Sequence, residues 1–216
     1  MLADKQARWM PAALVRDVLK GTVVPAALPS GPIAVWRSGT GALSANGDRC
    51  PHRGMRLSHG FVRGDTLSCI YHGWRFARDG TCQRIPAHPS VVPPKSINCG
   101  PLPVRESNGV VWVAAAPPDE EPSFYDGFAA LRSLVFTASA AAIQKASQGV
   151  PVEGGLQLQL AGQPAYLLLS VRSTCEVFVV VLLDTDATSA GQVAASTAVE
   201  TIRRRAEADE SGLVPA

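Results

Sequence analysis

The chain is 216 residues long, 46% apolar and 18% charged, with a formal net charge of +2. That composition excludes a disordered chain and is too weakly charged for a nucleic-acid binder that works by net charge. The charge is unevenly spread: residues 1–119 hold 14 Lys and Arg against 7 Asp and Glu, and residues 120–216 hold 6 against 11, which points to two units with different partners.

Residues 1–8 are polar and no apolar run precedes Trp9-Met10-Pro11, so no secretory signal is expected. Trp9–Lys20 reads as a short opening helix or turn closed by Gly21. Short β-type runs follow. Ile33–Trp36 is one, and Ala42–Ala45 ends at Asn46-Gly47, a hairpin signal. Thr66–Cys69 and Trp74–Ala77 are two more, with a tight turn at Asp79-Gly80. Pro101–Glu106 and Val110–Ala114 are joined by Ser107-Asn108-Gly109, again a hairpin. Many short strands with closely spaced turns predict a small antiparallel β domain over residues 1–116. Pro117-Pro118-Asp119-Glu120-Glu121-Pro122 is a linker by composition.

Residues 123–216 have a different texture. Val135–Thr137, Leu156–Leu160, Ala165–Val171 and Glu176–Leu183 are strand candidates, and the continuous apolar run 178–183 predicts a central strand. Ala165–Leu183 is the most apolar stretch, yet it contains Arg172 and Glu176 and is broken by Ser173-Thr174. It therefore predicts paired strands and no membrane span. After a polar turn at Thr185–Ala190, a helix is predicted to about Ala208, with Ala195, Val199, Ile202 and Ala206 on one face. Arg203-Arg204-Arg205 read as a solvated face. No internal repeat is visible. The fold class expected is α+β and β-rich: an antiparallel β domain followed by a small sheet with a C-terminal helix.

Cys50, His52, Cys69 and His72 carry the chemistry. They stand as C-P-H, sixteen intervening residues, then C-I-Y-H. Two thiolates and two imidazoles in paired clusters suit a [2Fe–2S] centre in which His replaces Cys on one iron. Two ferric ions, two sulfides and two thiolates sum to zero charge, so an electron is added more easily than to a four-cysteine cluster. Tetrahedral zinc is the alternative, but zinc fingers pair like with like, whereas each loop here supplies one Cys and one His. The remaining Cys82, Cys99 and Cys175 are odd in number and irregularly spaced. They read as small hydrophobes, with no disulfide framework, as expected in a reducing cytoplasm.

Cys50-Pro51-His52-Arg53-Gly54 and Cys69-Ile70-Tyr71-His72-Gly73-Trp74 resemble the two cluster loops of Rieske non-haem iron oxygenases. The resemblance covers residues 9–116 and includes Trp9-Met10-Pro11, Asp79-Gly80-Thr81-Cys82, Ile85-Pro86 and Val111-Trp112-Val113. It implies that Cys50 and Cys69 bind one iron and His52 and His72 the other. It makes the backbone N–H groups of Arg53 and Gly54 expected donors to the cluster sulfides, and Ile85-Pro86-Ala87-His88-Pro89 a covering loop. Respiratory-type Rieske proteins carry extra cysteines and a serine where Met55, Tyr71 and Trp74 stand here. That difference implies a potential at the low end of the Rieske range, as in the oxygenase or ferredoxin branch. His59 and His88 are assigned no ligand role.

In that family a larger domain follows, with a mononuclear iron on two His and a carboxylate. Here all four histidines lie between positions 52 and 88, so no mononuclear iron is expected and no catalytic residue is assigned. The implied function is one-electron transfer within an oxygenase system. The alternatives are a terminal oxygenase (hydroxylase or N/O-demethylase) and a non-catalytic cluster-bearing subunit of a separate oxygenase, and a shortened gene product is a further explanation of the small second unit. Expected partners are an electron-donating reductase or ferredoxin and a separate oxygenase subunit, with oligomers open and neither nucleic acid nor membrane. Arg49, Arg53, Arg56, Arg63, Arg75, Arg78 and Arg84 crowd the cluster segment. They read equally as a solvated face or as a docking surface for an acidic donor.

Overall fold

The computed structural model describes residues 8–211; the run 1–7, read from sequence as lacking a signal, lies outside them. Two compact units form. Residues 8–9, 15–105 and 111–121 make the first, and residues 10–14, 106–110 and 122–211 the second. Among the described residues the architecture is antiparallel sheet with two α-helices, the α+β, β-rich class expected.

The first unit holds two four-stranded antiparallel sheets. In one, Val23–Leu28, Gly31–Arg37, Leu43–Gly47 and Pro101–Leu102 are neighbours in that order. In the other the order is Phe61–Arg63, Thr66–Ser68, Arg75–Phe76 and Cys82–Arg84. Trp36, Leu67 and Phe76 from these strands and Leu57 from the 3-10 turn Leu57–His59 share a core with Cys50, Cys69, Cys82 and Cys99. Gly31–Arg37 and Leu43–Gly47 bury runs of consecutive residues, Ile33–Trp36 and Ser44–Asn46, so both of their faces are covered.

Two local expectations are corrected. Trp9–Lys20 is not helical: Met10–Leu14 is a strand and Val15–Asp17 a 3-10 turn. All five strand residues are buried, so the segment has no solvent face of the kind an amphipathic helix needs. Asn46-Gly47 is not a hairpin turn but the end of Leu43–Gly47, with Asn46 opposite Ala34 and Gly47 opposite Ile33. The fully buried Trp36 explains it, since its indole N–H donates to Asn46 Oδ1 at 2.7 Å and a buried N–H must find a partner. The hairpin expected around Ser107-Asn108-Gly109 does form, between Val104–Ser107 and Val110–Val113. Asn108 and Gly109 both have left-handed φ, 52° and 75°, the conformation a two-residue hairpin turn requires.

The second unit is a five-stranded antiparallel sheet in the order Phe128–Phe136, Glu176–Asp184, Gln163–Ser173, Gly155–Leu160 and Val150–Val152. The run 178–183 lies in an interior strand, as its continuous hydrophobicity predicts. Helix α2, Ser189–Ser211, places Ala195, Val199, Ile202 and Ala206 in a core with Val177, Val179 and Val181. Helix α1, Ala140–Ser147, was not anticipated from sequence. Its start signal is Ser139, whose Oγ accepts the Ala142 N–H, and its Ile143 enters the same core. Arg203 is bound on the helix surface by Glu200 at 2.5 Å and Glu207 at 2.7 Å. Among the described residues no helix is long and apolar enough to cross a membrane.

Candidate metal centre

Both cysteine loops close by the same backbone pattern. In the first, the Cys50 N–H donates to Met55 O and the Gly54 N–H to Cys50 O, at 2.8 Å each. In the second, the Cys69 N–H donates to Trp74 O at 2.9 Å and the Gly73 N–H to Cys69 O at 3.0 Å. Gly54 and Gly73 stand at the same step and have nearly the same left-handed φ, 70° and 69°, which an L side chain adopts only with strain. The loops are thus two copies of one turn although no repeat is visible in the sequence. The histidines break the copy, because His52 is two residues after its cysteine and His72 three.

The four expected ligands come together in pairs. Cys50 and Cys69 are buried, 3% and 2% exposed, and share one core, near enough for Cys69 to raise the Cys50 thiol. The His52 and His72 rings meet edge to face, with centroids 4.7 Å apart. Trp74 from the second loop lies flat on His52 of the first at 4.5 Å, and Tyr71 tilts against His72 at 4.0 Å. His72 is exposed and His52 half-buried.

Burial pushes the Cys50 thiol up to about 11; the backbone N–H groups of His52 and Arg53 pull it down, and the adjacent Cys69 pushes it further up. The imidazole of His52 is moved below its ordinary value, first by desolvation and then by His72 and Arg53. Two buried, adjacent thiols resist ionisation unless cations neutralise them, and neutral imidazole is the form that binds metal. The donor set therefore fits a [2Fe–2S] cluster. Among the described residues no three His, Cys, Asp or Glu gather as a single-ion site. Two pairs are what a two-iron cluster takes, since bridging sulfides fill the remaining positions.

The surroundings refine the expectations. The Arg53 N–H lies towards the Cys50 sulfur, while the Gly54 N–H donates to the Cys50 carbonyl, because the left-handed turn at Gly54 points it back into the loop. The Ile85-Pro86 segment does pack on the second loop: a Cβ added at Gly73 would lie 3.1 Å from Pro86 Cγ. His59 and His88 are both exposed. Of the arginines, Arg49 donates to Gly54 O at 3.0 Å, Arg78 to Ser44 Oγ at 3.2 Å, and Arg56 lies 3.8 Å from Asp48. Sequence reasoning missed Asp48, Ser58 and the role of Trp74 against His52.

Comparison with known proteins agrees with this geometry. Residues 8–100 match the Rieske [2Fe-2S] domain. Oxidoreductase NdmD of Pseudomonas putida is 39% identical over 116 residues, 53% of this chain and 20% of that protein. Protein TIC 55, chloroplastic, of Arabidopsis thaliana is 34% identical over 131 residues, 58% of this chain and 24% of that one. The match thus spans about a fifth to a quarter of these curated relatives' length. The crystal structure of dicamba monooxygenase superposes with a TM-score of 0.70 at 17% identity, over 99% of this chain and 92% of that one. Residues 8–100 are thus a Rieske [2Fe-2S] domain, and the chain shares its fold with dicamba monooxygenase.

Proposed function

We propose that this protein is an electron carrier that passes single electrons within an oxygenase system. Cys50 and Cys69 hold one iron of its cluster, and His52 and His72 hold the other. The observation that carries this reading is the pairing of two adjacent buried thiols with two adjacent imidazoles on loops of one backbone design. A [2Fe–2S] centre held in this way takes up and releases one electron. The protein residues do the rest. The loops exclude water from the thiol side, and the exposed His72 with Tyr71 forms the edge nearest a partner. Exposed Arg53 and Arg84 give that side a positive field suited to an acidic reductase or ferredoxin.

The cluster function is assigned to residues 1–116, the linker to 117–122 and a small α+β unit to 123–216. The five cysteines are free, which supports a reducing, cytoplasmic setting. A second reading, a terminal oxygenase, is favoured by the likeness to dicamba monooxygenase over nearly the whole chain. It needs two imidazoles and a carboxylate on one iron, and residues 89–216 contain no histidine. A third, a cluster-bearing subunit of a separate oxygenase, is favoured by the acidic second unit.

The test is reconstitution under anaerobic conditions, followed by iron and sulfide analysis, one-electron reduction and exposure to O₂ with Fe(II) and aromatic or N- and O-methyl substrates. Two irons, two sulfides and no product support the carrier. Product with a third bound iron supports the oxygenase. Product only when a second protein is added supports the subunit, and zinc in place of iron refutes all three.

A further inference from the structure

The two cluster loops share a turn but not a stem. Below the Cys69 loop, Ser68 pairs with Arg75 and Leu67 with Phe76, so a β ladder closes its base. The Cys50 loop has a strand on one side only. Leu43–Gly47 precedes it, and the 3-10 turn Leu57–His59 follows it. The carboxylate of Asp48 stands where the missing ladder would be. Its Oδ1 accepts the Ser58 N–H and its Oδ2 the Ser58 Oγ–H, at 2.7 Å each, while Arg56 Nη1 lies 3.8 Å from Oδ2. The Asp48 N–H donates to Pro32 O at 3.1 Å, which ties the staple to the sheet.

Asp48 is 1% exposed, and a buried carboxylate is costly unless it is hydrogen-bonded and balanced. A neutral side chain could bridge two segments without that cost, so a charge here calls for an explanation. The Asp48 and Cys50 Cα atoms are two peptide steps apart, so at most about 7.6 Å separates them. That bound applies to the backbone, and it puts the carboxylate in the same loop stem as the Cys50 thiol, where its negative charge opposes the added electron of a reduced cluster. Arg56 offsets it only in part, because the arginine side chain is 45% exposed while that of Asp48 is fully enclosed, and exposed charge is screened by water.

We propose that Asp48 is the positioning residue of the Cys50–His52 loop, and that its fixed negative charge holds the midpoint potential of the cluster down. This rests on the ligand assignment given under Proposed function. The full chain, as wild type, Asp48→Asn, Arg56→Gln and Ser58→Ala, is reconstituted with iron and sulfide. Iron content, the spectrum of the reduced cluster, the midpoint potential at neutral pH and the rate of iron loss to a chelator are then measured. Asp48→Asn keeps an oxygen that can accept the Ser58 N–H, so it retains two irons, and its potential rises. Arg56→Gln moves the potential the other way by a smaller amount. Ser58→Ala loses iron several-fold faster than wild type.

Wild-type potentials in both charge variants, or shifts of the same sign, overturn the electrostatic role. Unchanged iron retention in Ser58→Ala overturns the positioning role. A wild-type chain that takes up no cluster refutes the ligand assignment, and this proposal falls with it; a loaded wild type with unresponsive variants refutes this proposal alone.

Discussion

Trp74 lies flat on His52, with ring centroids 4.5 Å apart and planes 4° from parallel. The tryptophan belongs to the second cluster loop, where its carbonyl accepts the Cys69 N–H, and the histidine belongs to the first. One loop thus sets the ring orientation of the other loop's imidazole. An offset or parallel aromatic pair contributes about 0.5–1.5 kcal/mol beyond its buried area. Trp74→Ala should therefore speed iron loss to a chelator by roughly two- to tenfold, while Trp74→Phe stays close to wild type. Equal retention in Trp74→Ala and wild type would show that the stack does not orient His52.

The midpoint potential should sit at the low end of the Rieske range, near roughly −150 mV rather than +300 mV. Met55, Tyr71 and Trp74 stand where respiratory-type proteins place two cysteines and a serine, and none of the three supplies a hydroxyl at the serine's place. The Gly54 N–H is also engaged with the Cys50 carbonyl. Fewer dipoles then favour the reduced form. Direct voltammetry of the reconstituted protein measures this, and a value near the upper end contradicts it.

Gly60 and Gly54 should respond to alanine for different reasons. A Cβ at Gly60 would collide with the backbone oxygen of Ser68 and lie 2.9 Å from that of Leu57. Either the 3-10 turn or the pairing of Phe61 with Ser68 must shift, at a cost of about 1–3 kcal/mol or more. At Gly54 nothing lies within 4 Å, but φ is +70°, so the cost is backbone strain of about 1–2 kcal/mol. Urea unfolding of the cluster-loaded proteins measures both. Gly54→Ala should in addition raise the rate of iron loss, since that residue turns the His52 loop itself.

The ion pairs on α2 give a pH signature. Arg203 donates to Glu200 and holds its carboxyl below the usual carboxylate value of 4.5, with burial opposing and the Arg203, Arg204 and Arg132 charges assisting. A carboxylate depressed in the folded state stabilises above its unfolded pKa and loses that contribution as pH falls through the folded value. Wild type should exceed Glu200→Gln in stability by up to about 1 kcal/mol at neutral pH. The difference should begin to shrink as pH falls below about 4.5 and vanish only below the depressed folded value. A constant difference down to pH 2 would exclude the pair as its source.

What the sequence by itself determined follows from short-range physics. That Cys50 meets Cys69 and His52 meets His72 is legible because residue type and spacing within a loop are local properties. The run 178–183 and the stripe Ala195, Val199, Ile202 and Ala206 are legible because burial imposes its period on the residues directly. Asn46 shows the limit: beside Gly47 it looks like a turn, and only the buried Trp36 indole 10 residues back makes it an acceptor inside a strand. The helix Ala140–Ser147 was missed because eight residues give too few turns for a periodic signal. The tertiary structure alone decided that Asp48 meets Ser58, that Trp74 meets His52, and that two unlike motifs fold as one turn. The first two depend on how separate segments close on one another, which is set by the packing of the whole unit rather than by the residues that meet; the third is local, but a left-handed glycine at the same step in each loop shows it only once the backbone is seen.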